Sequence, residues 1–329
     1  TDGKSTTTTM IGAIHEASGR PTFVGGNLGN PLSEAIGSLS ADHIVVAEVS
    51  AFQLTTCEDF HPSVAVVTNI AEDHLDYHGG YAPYQSAKQR VYQAMKAGDV
   101  LILNRDDAQI AQWTLPTEPT IRWFSIAGAD ADATYEGGAL WLHGRKLMTR
   151  DELQLLGEHN VANALAAALA CEAAGVDDAT IRRGLMAYAP LPHRLETIDT
   201  LAGVRWVNDS KATNPNAAKA GISAIDTPLV LLSGGSSKDA DFGEIGALIK
   251  ARTRHAILFG QTRHQLAEAI GEDHPVTCVE TLNEAVTLAA SLAEPGDTVL
   301  LGPACASYDQ FKSYIHRGEV FCELVRALS

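Results

Sequence analysis

The chain opens on Thr1-Asp2-Gly3-Lys4-Ser5-Thr6-Thr7-Thr8, a Gly-Lys-Ser turn running into a helix-compatible segment. This stretch constrains the fold more than any other. A glycine turn at a helix start aims backbone N–H groups at an anion, because the first turn has no intrahelical acceptors. Lys4 adds a mobile cation for the outer phosphates, and the Ser5 hydroxyl can ligate Mg²⁺. The expected cradle is therefore Gly3, Lys4, Ser5 and Thr6. The strand and leading glycine that usually precede such a turn are not in the sequence, and the chain reads as a fragment that starts in mid-motif. The tripeptide alone is also compatible with a plain helix N-terminus, so the rest of the chain has to decide.

At 329 residues the expectation is two domains. Net charge is −16, from 24 basic and 40 acidic residues, which argues against bulk nucleic-acid binding and against adhesion to an anionic membrane. A small anionic ligand stays open, since a few local lysines and arginines suffice for one. The five cysteines are odd in number and show no C-x-x-C spacing, which fits a reduced, cytoplasmic setting and disfavours a zinc site. The longest apolar stretch, Val161–Ala174, is interrupted by Asn163 and Glu172 and is too short to span a bilayer.

In the first half, Ser5–Ser18 reads as a helix stopped by Gly19, and Gly25–Pro31 as a turn-rich loop. His43–Val49 and Val64–Thr68 are short apolar runs, the pattern of buried parallel strands. Both carry polar groups at their carboxyl ends, where open α/β sheets bind ligands. Glu48 and His74 are thus candidates to approach one phosphate-bound cation, a loop carboxylate and a helix cap being the plainer alternatives. Tyr81–Ala97 is expected as a helix with Tyr84, Lys88, Val91 and Met95 on one face. A lysine on an apolar stripe favours snorkelling to solvent over a role in a site. Further strands are expected at Val100–Asn104, Thr120–Ser125 and Ala139–Leu142, with a turn at His143–Arg145. In the long helix Glu158–Ala174, Asn160 and Asn163 share a face, and two amides there either read a purine edge or cap the helix.

Two prolines in Ala189-Pro190-Leu191-Pro192-His193-Arg194 mark the expected boundary, giving domains 1–190 and 191–329. Beyond it, strand, polar loop and helix repeat four times, with strands at Val204–Val207, Leu229–Leu232, Ala256–Phe259 and Val299–Leu301. That spacing predicts βαβ units in a parallel sheet, with all four polar loops on one edge. The edge carries Asp209, Lys211, Thr213, Lys238 and Ser307, which suits a small anionic substrate. Nucleotide held between two bodies is the expectation, with Arg194 at the hinge.

With these stretches assembled, the sequence closely resembles the Mur ligases of peptidoglycan synthesis across nearly its whole length. Thr1–Thr6 matches their phosphate loop. Glu48-Val49-Ser50-Ala51-Phe52-Gln53-Leu54, Asn208-Asp209-Ser210-Lys211-Ala212-Thr213-Asn214 and Pro303–Phe311 resemble the D-glutamate-adding branch. The resemblance implies an α/β chain: a P-loop, parallel-sheet, ATP-binding central domain followed by a Rossmann-like C-terminal domain that binds the amino acid. The family's N-terminal domain for the UDP group has no counterpart in the sequence, and Ala51 stands where serine is common.

The resemblance further implies a cytoplasmic, monomeric ligase using ATP and two Mg²⁺ ions to join UDP-N-acetylmuramoyl-L-alanine and D-glutamate through an acyl-phosphate. Lys4 would hold the β- and γ-phosphates. Ser5 and Glu48 would ligate one Mg²⁺, and His74 the second with Lys88 as a carbamate, which overturns the snorkelling reading of Lys88. Asn27 and Ser50 would contact the muramoyl substrate. Asn160 and Asn163 would read adenine, Asp209 the ribose and Arg194 the phosphates, with Lys211 also binding the nucleotide. Thr213, Lys238, Ser307, Tyr308 and Tyr314 would surround D-glutamate.

Overall fold

The computed structural model describes residues 1–71, 75–128, 130–189, 191–236 and 241–328. The chain divides into two compact units. One is Thr1–Gln154 with Glu158–Ala189, and the other is Leu155–Gly157 with Pro190–Ser329. Residues 155–157 thus group with the later segment, away from their sequence neighbours.

In the first unit, α1 (Lys4–Ala17) leads to β1 (Thr22–Gly26), α2 (Leu32–Ala35), β2 (Ile44–Glu48) and α3 (Ala51–Thr56). Then come β3 (Val64–Val67), α4 (Leu75–His78), α5 (Tyr81–Gln89), β4 (Val100–Asn104) and β5 (Thr120–Ser125). A meander of β6 (Ala133–Glu136), β7 (Ala139–Leu142) and β8 (Arg145–Thr149) precedes α6 (Glu158–Ala173) and α7 (Asp178–Ala187). β1 and β2 form a parallel pair of their own. The larger sheet runs β3-β4-β5-β6-β7-β8, parallel as far as β6 and antiparallel beyond.

The α6 helix explains the alanine-rich stretch. Val161 and every residue from Ala164 to Cys171 are almost wholly buried. Small side chains let it lie close against α1 and α7 while it also touches β3, β4, β5, β6 and β7. A helix that is apolar all round belongs inside a core, and this one is flanked by neighbours throughout.

The second unit contains β9 (Glu196–Leu201), β10 (Val204–Asn208), α8 (Pro215–Ser223), β11 (Leu229–Gly234), α9 (Gly243–Arg252) and β12 (His255–Phe259). It continues with α10 (Arg263–Ile270), β13 (Val276–Cys278), α11 (Leu282–Leu292), β14 (Thr298–Leu301) and α12 (Tyr314–Arg326). The sheet order is β13-β12-β11-β14-β10-β9, parallel except for β9 at the edge. Alternate residues of β11 serve opposite faces. Leu229 and Leu231 join the core on one side, and Val230 and Leu232 the core on the other. Burial on both faces is why these strands read as unbroken apolar runs.

The expected strands in this unit appear, each within a residue or two of its predicted bounds. The structure adds β1, β6, β8, β9 and β13, and the helices α2, α3, α4, α7 and α11. The expected helix over 81–97 is shorter: α5 ends at Gln89 and a 3₁₀ turn follows at Arg90–Tyr92. There the chain gives up regular helical bonding and buries Val91, Tyr92 and Met95 together.

Candidate active site

The phosphate-loop turn is built by close approach. Gly3 has φ +78°, a left-handed conformation that favours glycine. A Cβ there would lie 2.3 Å from Asn163 Oδ1. Asn163 accepts from Thr7 Oγ1 at 3.2 Å and donates to Asn160 Oδ1 at 3.1 Å. The two amides therefore do share a face near the start of α6, and that face lies against the loop. The α1 N-terminus has neither a side-chain cap nor an acidic residue in its first turn, the arrangement that best suits a bound anion.

The chain just after β3 pins the loop from the other side. Asp2 N donates to Asn69 Oδ1 at 2.7 Å, and Asp2 O accepts from Thr68 Oγ1 at 2.7 Å and Asn69 Nδ2 at 2.9 Å. Thr1 Oγ1 accepts from Ala71 N at 2.9 Å and from Lys88 Nζ at 3.2 Å. Lys4 Nζ donates to Thr1 O. Lys88 Nζ also stands 4.9 Å from the centre of the Tyr84 ring. Lys88 therefore faces the loop, with its ammonium over the ring of the buried Tyr84.

A cavity of about 300 Å³ gathers this chemistry within the first unit, lined among others by Lys4, Asn27, Ser50, Thr68, Asn69 and Lys88. Asn27 holds Glu48 twice: its N–H donates to Glu48 O at 2.8 Å, and Nδ2 donates to Glu48 Oε1 at 2.9 Å. Glu48 is buried, and among the described residues its Oε2 has no hydrogen-bond partner. An orphaned, solvent-shielded carboxylate oxygen is costly unless a cation or donor completes it. It therefore fits a hard divalent ion, which takes oxygen ligands. Among the described residues no three His, Cys, Asp or Glu side chains converge as a metal site by themselves. His74, the other expected ligand, lies outside the described residues. Ser50 caps α3, its Oγ accepting from Gln53 N at 3.3 Å.

In the second unit, the four polar loops meet at the carboxyl edge of the sheet. Ser236 N donates to Ala306 O at 2.9 Å, and Thr262 N to Gly235 O at 3.0 Å. Gln261 N donates to Asp309 Oδ2 at 3.1 Å. Lys211 Nζ donates to Tyr314 OH at 3.1 Å and stands 4.8 Å from the ring centre, so these two expected site residues are neighbours. Thr213 N bonds to Lys211 O in the same turn. Ser307 is buried, whereas Tyr308 is 76% exposed and turns to solvent. Lys238 lies outside the described residues.

Asp209 is almost wholly buried, and burial pushes its carboxyl up to about 7, against the Leu195 N–H at 3.2 Å and the Arg194 charge, which pull it down. An unfolded aspartate ionises near pH ~4. Between pH ~4 and ~7 the folded chain therefore binds more protons than the unfolded one, and stability falls as pH rises through that window. Asp209→Asn should remove the penalty, at most about 4 kcal/mol by the shift. The variant's Tm advantage over the parent should grow from pH 5 to pH 8. Thermal unfolding of both at the two pH values checks this, and a pH-independent difference would refute it.

Sequence reasoning passed over Thr68 and Asn69 as braces of the loop, and over Asn208, Ser210 and Arg317. Asn208 and Ser210 stand inside the stretch quoted above. Arg317 had no sequence signal, since an arginine in an amphipathic helix ordinarily faces water. Here it is fully buried, and burial brings its guanidinium down to about 10, still a cation near neutrality.

A two-unit α/β architecture with a phosphate loop is what these features define. Residues 1–171 match the Mur ligase middle domain, and residues 193–305 match the Mur ligase glutamate ligase domain. The UDP-N-acetylmuramoylalanine--D-glutamate ligase of Pelotomaculum thermopropionicum is 39% identical over 335 residues, covering 100% of this chain and 74% of the relative. That of Myxococcus xanthus is 38% identical over 337 residues, again covering 100% and 74%. Among solved structures, the UDP-N-acetylmuramate-alanine ligase MurC of Thermotoga maritima superposes with a TM-score of 0.73 at 18% identity, covering 100% of this chain and 74% of that one. The MurF ligase of the same organism, solved in complex with ADP, gives 0.72 at 18%, covering 100% and 79%. The chain belongs to the Mur ligase family. Among its described residues no helix is long and apolar enough to cross a membrane.

Proposed function

We propose that the chain carries the ATP-binding and amino-acid-binding parts of a cytoplasmic ligase that adds D-glutamate to UDP-N-acetylmuramoyl-L-alanine. The observation that carries this reading is the cavity of the first unit. It collects Lys4, Asn27, Ser50 and Lys88 at an uncapped helix N-terminus, beside a carboxylate with one unpartnered oxygen. The names of the curated relatives supply the acceptor.

In the proposed reaction a substrate carboxylate oxygen attacks the γ-phosphorus of ATP, the bond to the β-phosphate oxygen breaks, and ADP leaves. The D-glutamate nitrogen then attacks the acyl carbon, and phosphate departs as the amine gives up its proton. Conversion to an acyl-phosphate turns a poor leaving group into a good one. Lys4 offsets charge on the transferring phosphoryl group, and α1 adds its dipole. Glu48 and Ser5, with Lys88 as a carbamate and His74, would hold two Mg²⁺ ions. These ions supply Lewis-acid stabilisation of the phosphates. Asn27 and Ser50 are assigned to the muramoyl substrate. Adenine falls to Asn160 and Asn163, the latter also bracing the loop. In the second unit Asp209 is assigned to the ribose, Arg194 and Lys211 to the nucleotide, and Thr213, Lys238, Ser307, Tyr308 and Tyr314 to D-glutamate.

A panel of acceptors tests the assignment. The full-length enzyme should release phosphate fastest with D-glutamate when assayed beside L-lysine, meso-diaminopimelate and L-alanine. Preference for another acceptor would move the chain to a different branch of the family. ATP binding with no phosphate release in the presence of both substrates would make it a nucleotide-binding module.

A further inference from the structure

We propose that Arg317 is the positioning residue of the amino-acid site, locking together the loops that hold the acceptor. The inference rests on the reading of the second unit as the amino-acid-binding part. Arg317 lies in the first turn of α12 and is fully buried. Among the described residues it makes no ion pair with a carboxylate. Its guanidinium instead donates to backbone and hydroxyl oxygens of two loops. Nε donates to Ser210 Oγ at 3.0 Å, and Nη2 to Ser210 O at 2.8 Å. Nη1 donates to Cys305 O at 3.0 Å and Ala306 O at 3.3 Å. Ser210 follows β10, and Cys305 and Ala306 follow β14.

A third loop is drawn in through Ala306, whose carbonyl also receives Ser236 N at 2.9 Å. Gly235, with φ +143°, lets this happen, because a Cβ there would lie 2.2 Å from Ala306 O and 3.1 Å from Arg317 Nη1. Ser210 Oγ in turn donates to Tyr314 O at 2.8 Å. Each clamped residue therefore stands just before a residue assigned to D-glutamate. Ser210 precedes Thr213 by three positions, Ala306 precedes Ser307 by one, and Ser236 precedes Lys238 by two. The carbonyls of irregular loops at a sheet edge need donors, and one planar fork supplies four at fixed angles.

The energetics single this residue out. A buried cation with only neutral partners is expensive, and an apolar side chain would fill the same volume at lower cost. Four donors in one plane are what no apolar side chain can provide. Lysine would keep the charge but replace the fork with a single donor centre. A shift of about 1 Å in such a frame is enough to change rates or apparent affinities by one to two orders of magnitude.

The test uses the full-length enzyme and the variants Arg317→Lys and Arg317→Met. The readouts are KM for the amino acid, KM for ATP, kcat and Tm. Arg317→Lys should fold and raise the amino-acid KM about tenfold, with an ATP KM within about twofold of the parent. Arg317→Met should do so more strongly. A residue that merely supports the fold would lower the active fraction, and so kcat, without separating the two KM values. An unchanged amino-acid KM in folded Arg317→Lys would overturn the proposal, as would a parallel rise in both KM values. Failure of both variants to fold would leave Arg317 a core residue only, and would overturn it too. If the parent prefers an acceptor other than D-glutamate, the assignment under Proposed function fails. The KM comparison is then run with that acceptor and still decides the role of Arg317.

Discussion

Glu48→Gln should leave a folded protein that has lost about 10²- to 10³-fold in ligation rate. The amide keeps the volume of the side chain, and its oxygen can still accept from Asn27 Nδ2, as Glu48 Oε1 does at 2.9 Å. What disappears is the negative charge and the acceptor lone pairs of the buried, unpartnered Oε2. Losing one anionic ligand from a cation that stabilises transferring phosphate costs several kcal/mol, and each ~1.4 kcal/mol is a tenfold loss in rate. Stability should move the other way, because an isolated buried carboxylate is a burden to the empty fold. A raised or unchanged Tm, a lost rate, and weaker Mg²⁺-dependent nucleotide binding by calorimetry are the expected set. A variant with parental rate would remove Glu48 from the metal site.

Lys88→Ala should be of similar severity, at least about 100-fold, for a different reason. Lys88 Nζ lies 3.2 Å from Thr1 Oγ1 and over the Tyr84 ring, so the half-buried side chain faces the phosphate loop. As an ammonium it would add to the charge of Lys4 at the same loop. As a carbamate, formed when the amine nitrogen bonds to CO₂ and releases a proton, it becomes an anionic oxygen ligand for a hard cation. Alanine removes the nitrogen that carries the carbamate, so bicarbonate should not restore activity, whereas a short carboxylic acid should restore part of it. ¹³C-bicarbonate should label the parent at a carbamate carbon and leave the variant unlabelled. Full activity in the unlabelled variant would return Lys88 to the role of an apolar stem with a cationic tip.

The features most legible from sequence were local ones. The phosphate loop is written in consecutive residues; the structure adds that Gly3 must be glycine, because Asn163 sits 2.3 Å from where a Cβ would go, and that Thr68 and Asn69 brace the turn. The parallel sheet of the second unit was readable because strands buried on both faces are continuous apolar runs followed by polar loops. The missed elements carry weak signals. β9 and β13 are edge strands with half-buried or exposed positions, β13 only three residues long, and β6 and β8 are the outer strands of a tight antiparallel meander around β7. None offers a long apolar period to detect. The face of Lys88 was legible, but the reading it favoured, snorkelling, was set aside on family resemblance and not on any property of the helix.

Residue types and their order along the chain thus settled which local geometries were available: a glycine turn opening a helix, buried strands, polar loops at their carboxyl ends. Folding alone chose the partners. Asp2 meets Asn69, Asn27 meets Glu48, and Arg317 meets Ser210 and Ala306 across separations no periodicity encodes. The reason is physical. A polar group out of water must find its complement within about 3 Å, and which atoms come that close depends on how helices and sheets pack. Packing likewise decided which oxygen, Glu48 Oε2, was left without a complement among the described residues.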